Sequence, residues 1–146
     1  MNRNPAFSTP ELLLVLTLLG ALAGLAAPNF VRALHVLSVQ AARDAVVAAA
    51  TRTRALALAQ GGAFLRVTEN GTLDVLARDS TRVHATWDLH DRYGIALEIE
   101  NSARTSTLLE YDALGVGRLA NLTLRVRRGE VEGAVTFSAY GRPRPW

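Results

Sequence analysis

Three histidines, thirteen acids and sixteen basic residues are the material in this 146-residue sequence from which proton transfer, metal binding or anion recognition could be built. There is no cysteine, which removes thiolate ligands and disulfides at once. His35, His84 and His90 stand at no spacing to carboxylates that repeats a metal-ligand set or a catalytic triad. The densest polar group, Asp88-Leu89-His90-Asp91, follows an alternating run and reads as a turn, since polar residues after a strand usually satisfy the backbone there. Neither a nucleophile elbow nor a phosphate-cradling glycine loop accompanies it. No catalytic residue, metal site, cofactor or small-molecule substrate is therefore expected, and an enzyme reading has no residues to rest on.

Anion chemistry is better supplied. Every basic residue is arginine, and the formal charge of +3 is modest, so the distribution matters more than the total. Arg118, Arg125, Arg127, Arg128, Arg142 and Arg144 fall in the last 29 residues against only Glu130 and Glu132, six positive charges against two negative, a local +4. Guanidinium groups fork onto phosphate oxygens, Pro143 and Pro145 would keep the tail extended, and Tyr140 or Trp146 could stack on an unpaired base. Arg142, Arg144, Arg125, Arg127 and Arg128 are thus the candidate DNA-binding residues. A solvated face on an arginine-rich protein is the plainer reading of the same residues, and both stay open.

One carboxylate is placed where it needs a reason. Glu11 opens a run, Leu12 to Val31, that carries no charge for twenty residues, enough to cross a hydrocarbon core of ~30 Å at ~1.5 Å per residue. Without a partner a carboxylate drawn to mid-bilayer costs roughly 2.5–3.5 kcal/mol or more, and an ordinary secretory signal has no use for one. Such a signal is the rival reading, with Arg3 as its positive start and Ala21-Leu22-Ala23 as a small-x-small cleavage site. The helical spacing continues past the apolar block through Val31, Leu34, Ala41, Ala45, Ala48, Ala49 and Leu56, with charges interleaved. Ser8 or Thr9 suits the cap, Pro10 the first turn, and Gln60-Gly61-Gly62 the end. The expectation is one helix over 7–60, membrane-spanning at about 11–31 and serving as a domain spine at about 31–60, with Pro28 as its kink.

Beyond Gly62 the period changes to two. Phe64–Thr68 and Thr72–Leu76 flank an Asn70-Gly71 turn, and runs at 82–89, 93–100, 105–111, 119–127 and 132–140 follow between turn residues. Residues 61–146 are expected to form an antiparallel β domain with the distal helix across one face of its sheet, an α+β fold.

Ala6-Phe7-Ser8-Thr9-Pro10-Glu11-Leu12-Leu13-Leu14-Val15-Leu16, followed by Ala26-Ala27-Pro28-Asn29-Phe30, resembles the processing motif of type IV pilins and type II secretion pseudopilins. The proline seventeen residues beyond the glutamate falls where that family has one. The family usually has glycine before the cut and an aliphatic residue before the glutamate, where this chain has Ala6 and Pro10. The resemblance implies a 1–6 leader removed between Ala6 and Phe7 by a prepilin peptidase, methylation of the Phe7 amine, and a filament-assembly role for Glu11. There its carboxylate would meet the terminal amine of a neighbouring subunit, so that neither charge is buried alone. Leu109–Gly115, the last hairpin and Gly141-Arg142-Pro143-Arg144 are similar to the GspH/FimT subgroup of pseudopilins, in whose FimT-like minor pilins a C-terminal Gly-Arg-x-Arg element is associated with DNA binding during uptake. The resemblance implies a pilin-like fold and a minor pseudopilin or minor pilin of a type II secretion pseudopilus or type IV pilus. Its partners would be the membrane, prepilin peptidase, other pilins and, in the DNA-uptake alternative, DNA. It would sit in the bacterial inner membrane by a single pass, with its C-terminal domain outside the cytoplasm, and then in the filament.

Overall fold

The computed structural model describes residues 8–79, 82–100, 105–118 and 122–146, apart from the side chains of Leu25 and Ala26; the expected cleavage and methylation residues, Ala6 and Phe7, lie outside them. The chain forms two compact units, one ending at Leu34 and the other running His35–Trp146. The first helix, α1 (Thr9–Gln60, 52 residues), contributes to both.

The start of α1 is specified by its own side chains. Ser8 accepts the backbone N–H groups of Glu11 and Leu12 on its carbonyl at 3.0 and 3.1 Å, and Glu11 Oε2 reaches back to the Ser8 N–H at 3.4 Å. This is the reciprocal half of a capping box, and it also places a negative charge on the positive end of the helix dipole. Pro28 stands inside the helix, where it withholds one donor from the preceding turn. Within the first unit every described side chain from Leu12 to Leu34 is exposed, Leu13, Leu14, Leu18, Leu19 and Phe30 included. By length and composition α1 can cross a membrane.

The second unit has a conventional core. Val39, Ala42, Val46, Ala49, Ala50, Thr53 and Ala57 recur at helical spacing and are all buried. Most are alanine, which lets sheets approach the helix closely, and the one polar member, Thr53, returns its hydroxyl to the Ala49 carbonyl at 2.8 Å.

Against this stripe lie two antiparallel sheets instead of the single sheet expected. The first has β1 (Gly62–Thr68), β2 (Thr72–Ala77), β3 (Val83–Asp88) and β5 (Ser106–Asp112) in the order β3-β2-β1-β5. The second has β4 (Ala96–Ile99), β6 (Leu122–Arg128), β7 (Val131–Phe137) and β8 (Pro143–Pro145) in the order β4-β6-β7-β8. Leu65, Val67, Leu73, Val75 and Leu109 face inward from the first sheet, and Leu97, Ile99, Leu124, Val126, Val135 and Phe137 from the second, into the same core cluster. Along β1 from Ala63 to Val67 and along β6 from Leu122 to Val126 every second residue is buried, as the period of two requires, whereas β3 and β8 bury none.

The chain changes sheets at Asp88. A short helix, α2 (Leu89–Tyr93), occupies the place where a turn and the start of a strand were expected, because Asp88 caps it by accepting the Asp91 N–H at 2.8 Å and Gly94, at φ 63°, ends it in the left-handed region. Leu89 is fully buried beneath it. The expected 93–100 strand shortens accordingly to Ala96–Ile99. The Asn70-Gly71 signal does close the β1–β2 hairpin, through a loop of residues 69–71 in which Gly71 adopts φ 89°.

Candidate functional site

The histidine-containing group resolves into structure. Asp88 is the α2 cap, and the His90 Nδ1 lies 3.1 Å from the Ile95 carbonyl. The Asp88 carboxylate and the His90 Nδ1 thus meet the backbone of the turn that carries the chain between sheets.

The five arginines expected to act together are separated by the fold. Arg125, on β6, is held between Glu100 at 2.9 Å and Glu132 at 2.8 Å across the outer face of the second sheet. Its hydrogen bonds to Glu100 and then Glu132 push its pKa further into the charged range. The neighbouring Arg127 is exposed on the same face and shares a groove of about 410 Å³ with Glu98, Glu100, Arg125 and Glu132, where acids match it. Arg128, at the end of β6, donates to the Tyr93 carbonyl at 2.6 Å and to the Ser38 hydroxyl, tying α2 and the distal part of α1 to the second sheet. Both of these bonds come from its Nη1, which is thereby engaged within the chain.

Arg142 and Arg144 are placed differently. The C-terminal tail is an edge strand: Ser138 N–H donates to the Arg142 carbonyl at 3.0 Å, and Ala134 and Trp146 exchange two backbone bonds at 3.0 Å each. Register pairs Phe137 with Pro143 and Val135 with Pro145. By the antiparallel alternation, both prolines fall at positions whose missing N–H would have faced away from β7, so they cost the ladder nothing and blunt the free edge.

The turn before this strand is clamped from two sides. The Tyr111 hydroxyl, on β5, donates to the Gly141 carbonyl at 2.7 Å, and the Gly117 N–H donates to the Tyr140 carbonyl at 3.0 Å. Gly117 and Gly141 touch backbone to backbone, and a Cβ built on Gly117 would sit 2.5 Å from the Gly141 Cα, nearer than any real contact. Desolvation pushes the Tyr111 pKa from 10.0 up to about 12, against a smaller lowering pull from the positive charge of Arg54.

That same Arg54, on α1, meets Arg142 and Arg144 around an open groove of about 490 Å³ with Gly115, Ser138 and Tyr140 on its walls. No acid lines it. Among the described residues, no ion pair involves Arg54, Arg142 or Arg144. Tyr140 is 71% exposed in this wall. Trp146 is exposed too, but its indole N–H is fastened to the Thr136 hydroxyl at 2.8 Å on the second sheet. Sequence reasoning missed Arg54, Gly115 and Gly117 as members of this group. The only signal for them was the Asp112–Val116 loop, where Asp112 Oδ1 accepts from Leu114 and Val116 N–H at 2.9 Å, an Asx arrangement that turns Gly115 toward the helix.

No family model, no curated protein and no solved structure matches the chain.

Proposed function

We propose that this chain is a pilin-like subunit, a minor pseudopilin or minor pilin, held in the bacterial inner membrane by the first half of α1 and built through it into a pseudopilus or type IV pilus. The observation that supports this most is the charge pattern of α1: an uncharged surface from Leu12 to Val31, exposed at every described side chain, behind a lone carboxylate at its first turn. Bilayer lipid covers such a surface before assembly and the helices of neighbouring subunits cover it afterwards, and Glu11 then supplies the partner for an amine that processing leaves in the bundle.

The capping contact of Glu11 permits a sharp test. Glu11→Gln keeps a side-chain oxygen that can accept the Ser8 N–H but removes the charge, whereas Glu11→Ala removes both. Co-expressed with a prepilin peptidase and partner pilins, both variants are expected to lose the first six residues by mass spectrometry, as the wild type does, and to fail to enter filaments. Normal incorporation of the glutamine variant would reduce Glu11 to a helix cap, and cleavage near Ala23 instead of after Ala6 would make the segment a secretory signal.

A second reading is favoured by the groove at the tail: a FimT-like minor pilin that receives extracellular DNA on Arg142 and Arg144. Two guanidinium groups in the clamped tail, with no ion pair among the described residues, would present a surface to a polyanion, and binding there would be independent of sequence and steeply dependent on salt.

A further inference from the structure

We propose that Arg54 of the long helix is the third member of a phosphate cradle completed by Arg142 and Arg144, so that DNA contacts both the C-terminal strand and α1. This rests on the DNA-binding reading and extends it to a residue some ninety positions away in sequence.

Arg54 is exposed, one position after buried Thr53, so its side chain leaves the core at the rim of the groove. It does not wave freely. A Cβ on Gly115 would lie 3.0 Å from the Arg54 Cγ, 3.2 Å from its Nε and 3.2 Å from the Leu58 Cγ. The arginine stem therefore lies against the bare backbone of Gly115, whose φ of 67° is itself a position that favours glycine. A guanidinium whose stem is packed loses less rotamer freedom on binding a phosphate than one on a free chain.

The opposite wall is equally fixed. Arg142, the residue before β8, and Arg144, its middle residue, are two apart in extended backbone and both line the groove, and the turn that leads into them is held by the Tyr111 and Gly117 bonds. Three like charges are thus brought around one groove by held elements, with no carboxylate among the described residues of its walls, which raises the energy of the empty site and favours a polyanion over a single neutral ligand. The groove, at about 490 Å³, is of nucleotide scale by comparison with ligand sites of roughly 300–1,000 Å³. The matched acids around Arg125 and Arg127 give the outer face of the second sheet no such character.

The test uses the full chain in detergent micelles and a fluorescently labelled oligonucleotide of mixed sequence, with anisotropy measured over a range of salt. Arg54→Gln keeps most of the stem that packs on Gly115 and removes the charge. It is expected to weaken binding roughly tenfold and to lower the slope of log affinity against log salt by about one, as loss of one phosphate contact does. Arg54→Lys, which keeps the charge, is expected to recover most of that slope. The double variant Arg142→Ala/Arg144→Ala is expected to lower it by about two. If the double variant loses affinity and Arg54→Gln binds with unchanged affinity and slope, the cradle is overturned while the tail remains a DNA site. If the double variant too binds like the wild type, the DNA reading falls and the cradle with it. If Arg54→Gln weakens binding but Arg54→Lys is no better than it and both melt earlier than the wild type, the residue is structural and the cradle is overturned.

Discussion

Tyr111 shows how one side chain couples the core to the tail. Its ring fills the interior and its hydroxyl is the donor for a carbonyl on a buried glycine. Tyr111→Phe leaves the Gly141 carbonyl without this partner and is expected to cost about 1–3 kcal/mol, read as a lower melting temperature at neutral pH. The pH dependence has a definite sign. With the folded phenol pushed from 10.0 to about 12, the unfolded chain ionises first, so the stability contributed by the neutral phenol is intact below pH 10 and is lost as the pH rises through about 12. The wild type should therefore lose more stability than the phenylalanine variant over that interval in denaturant melts. Equal alkaline losses would mean that the phenol is not the group responsible.

At the level of elements, the short edge strand β8 depends on the glycine pair before it. Gly117 lies outside any long strand, yet it meets Gly141 with no room for a methyl group, and neither backbone can yield without disturbing the turn 138–142. Gly117→Ala is expected to lower the melting temperature by several degrees, since overpacking typically costs about 1–3 kcal/mol. The same substitution should speed hydrogen exchange at Trp146, whose N–H bonds the Ala134 carbonyl at 3.0 Å. Retention of wild-type exchange there would show that β8 is held by its ladder alone. The two prolines of the strand contribute in the opposite sense, because they restrict the unfolded tail while leaving the β7 ladder whole.

For the molecule as a whole, the division at Leu34 and His35 has an experimental meaning. Among the described residues every buried core residue lies at or beyond Val39, so the fragment His35–Trp146 carries that core complete. That fragment is expected to be soluble, to melt cooperatively and to remain monomeric, whereas the full chain should need detergent or lipid, because its first unit exposes leucines along the length of the helix. A fragment that aggregates or shows no cooperative transition would mean that residues before His35 belong to the fold of the second unit.

The sequence alone determined what local periodicity reports: where α1 runs, that its first half is apolar while its second carries a buried stripe, that the period changes at Gly62, and that Asn70-Gly71 closes a hairpin. These follow from each residue's preference and its immediate neighbours. The tertiary structure decided what depends on pairing across long separations. Strand order cannot be read from alternation, so the two sheets, with β4 leaving the first and β5 returning to it, were not legible. The six arginines near the C-terminus look alike as letters; Arg125 meets Glu100 and Glu132, Arg128 meets Tyr93 and Ser38, and Arg142 and Arg144 share a groove with Arg54 and, among the described residues, with no acid. Charge belongs to the residue, whereas its neutralisation belongs to whatever the fold brings within about 4 Å.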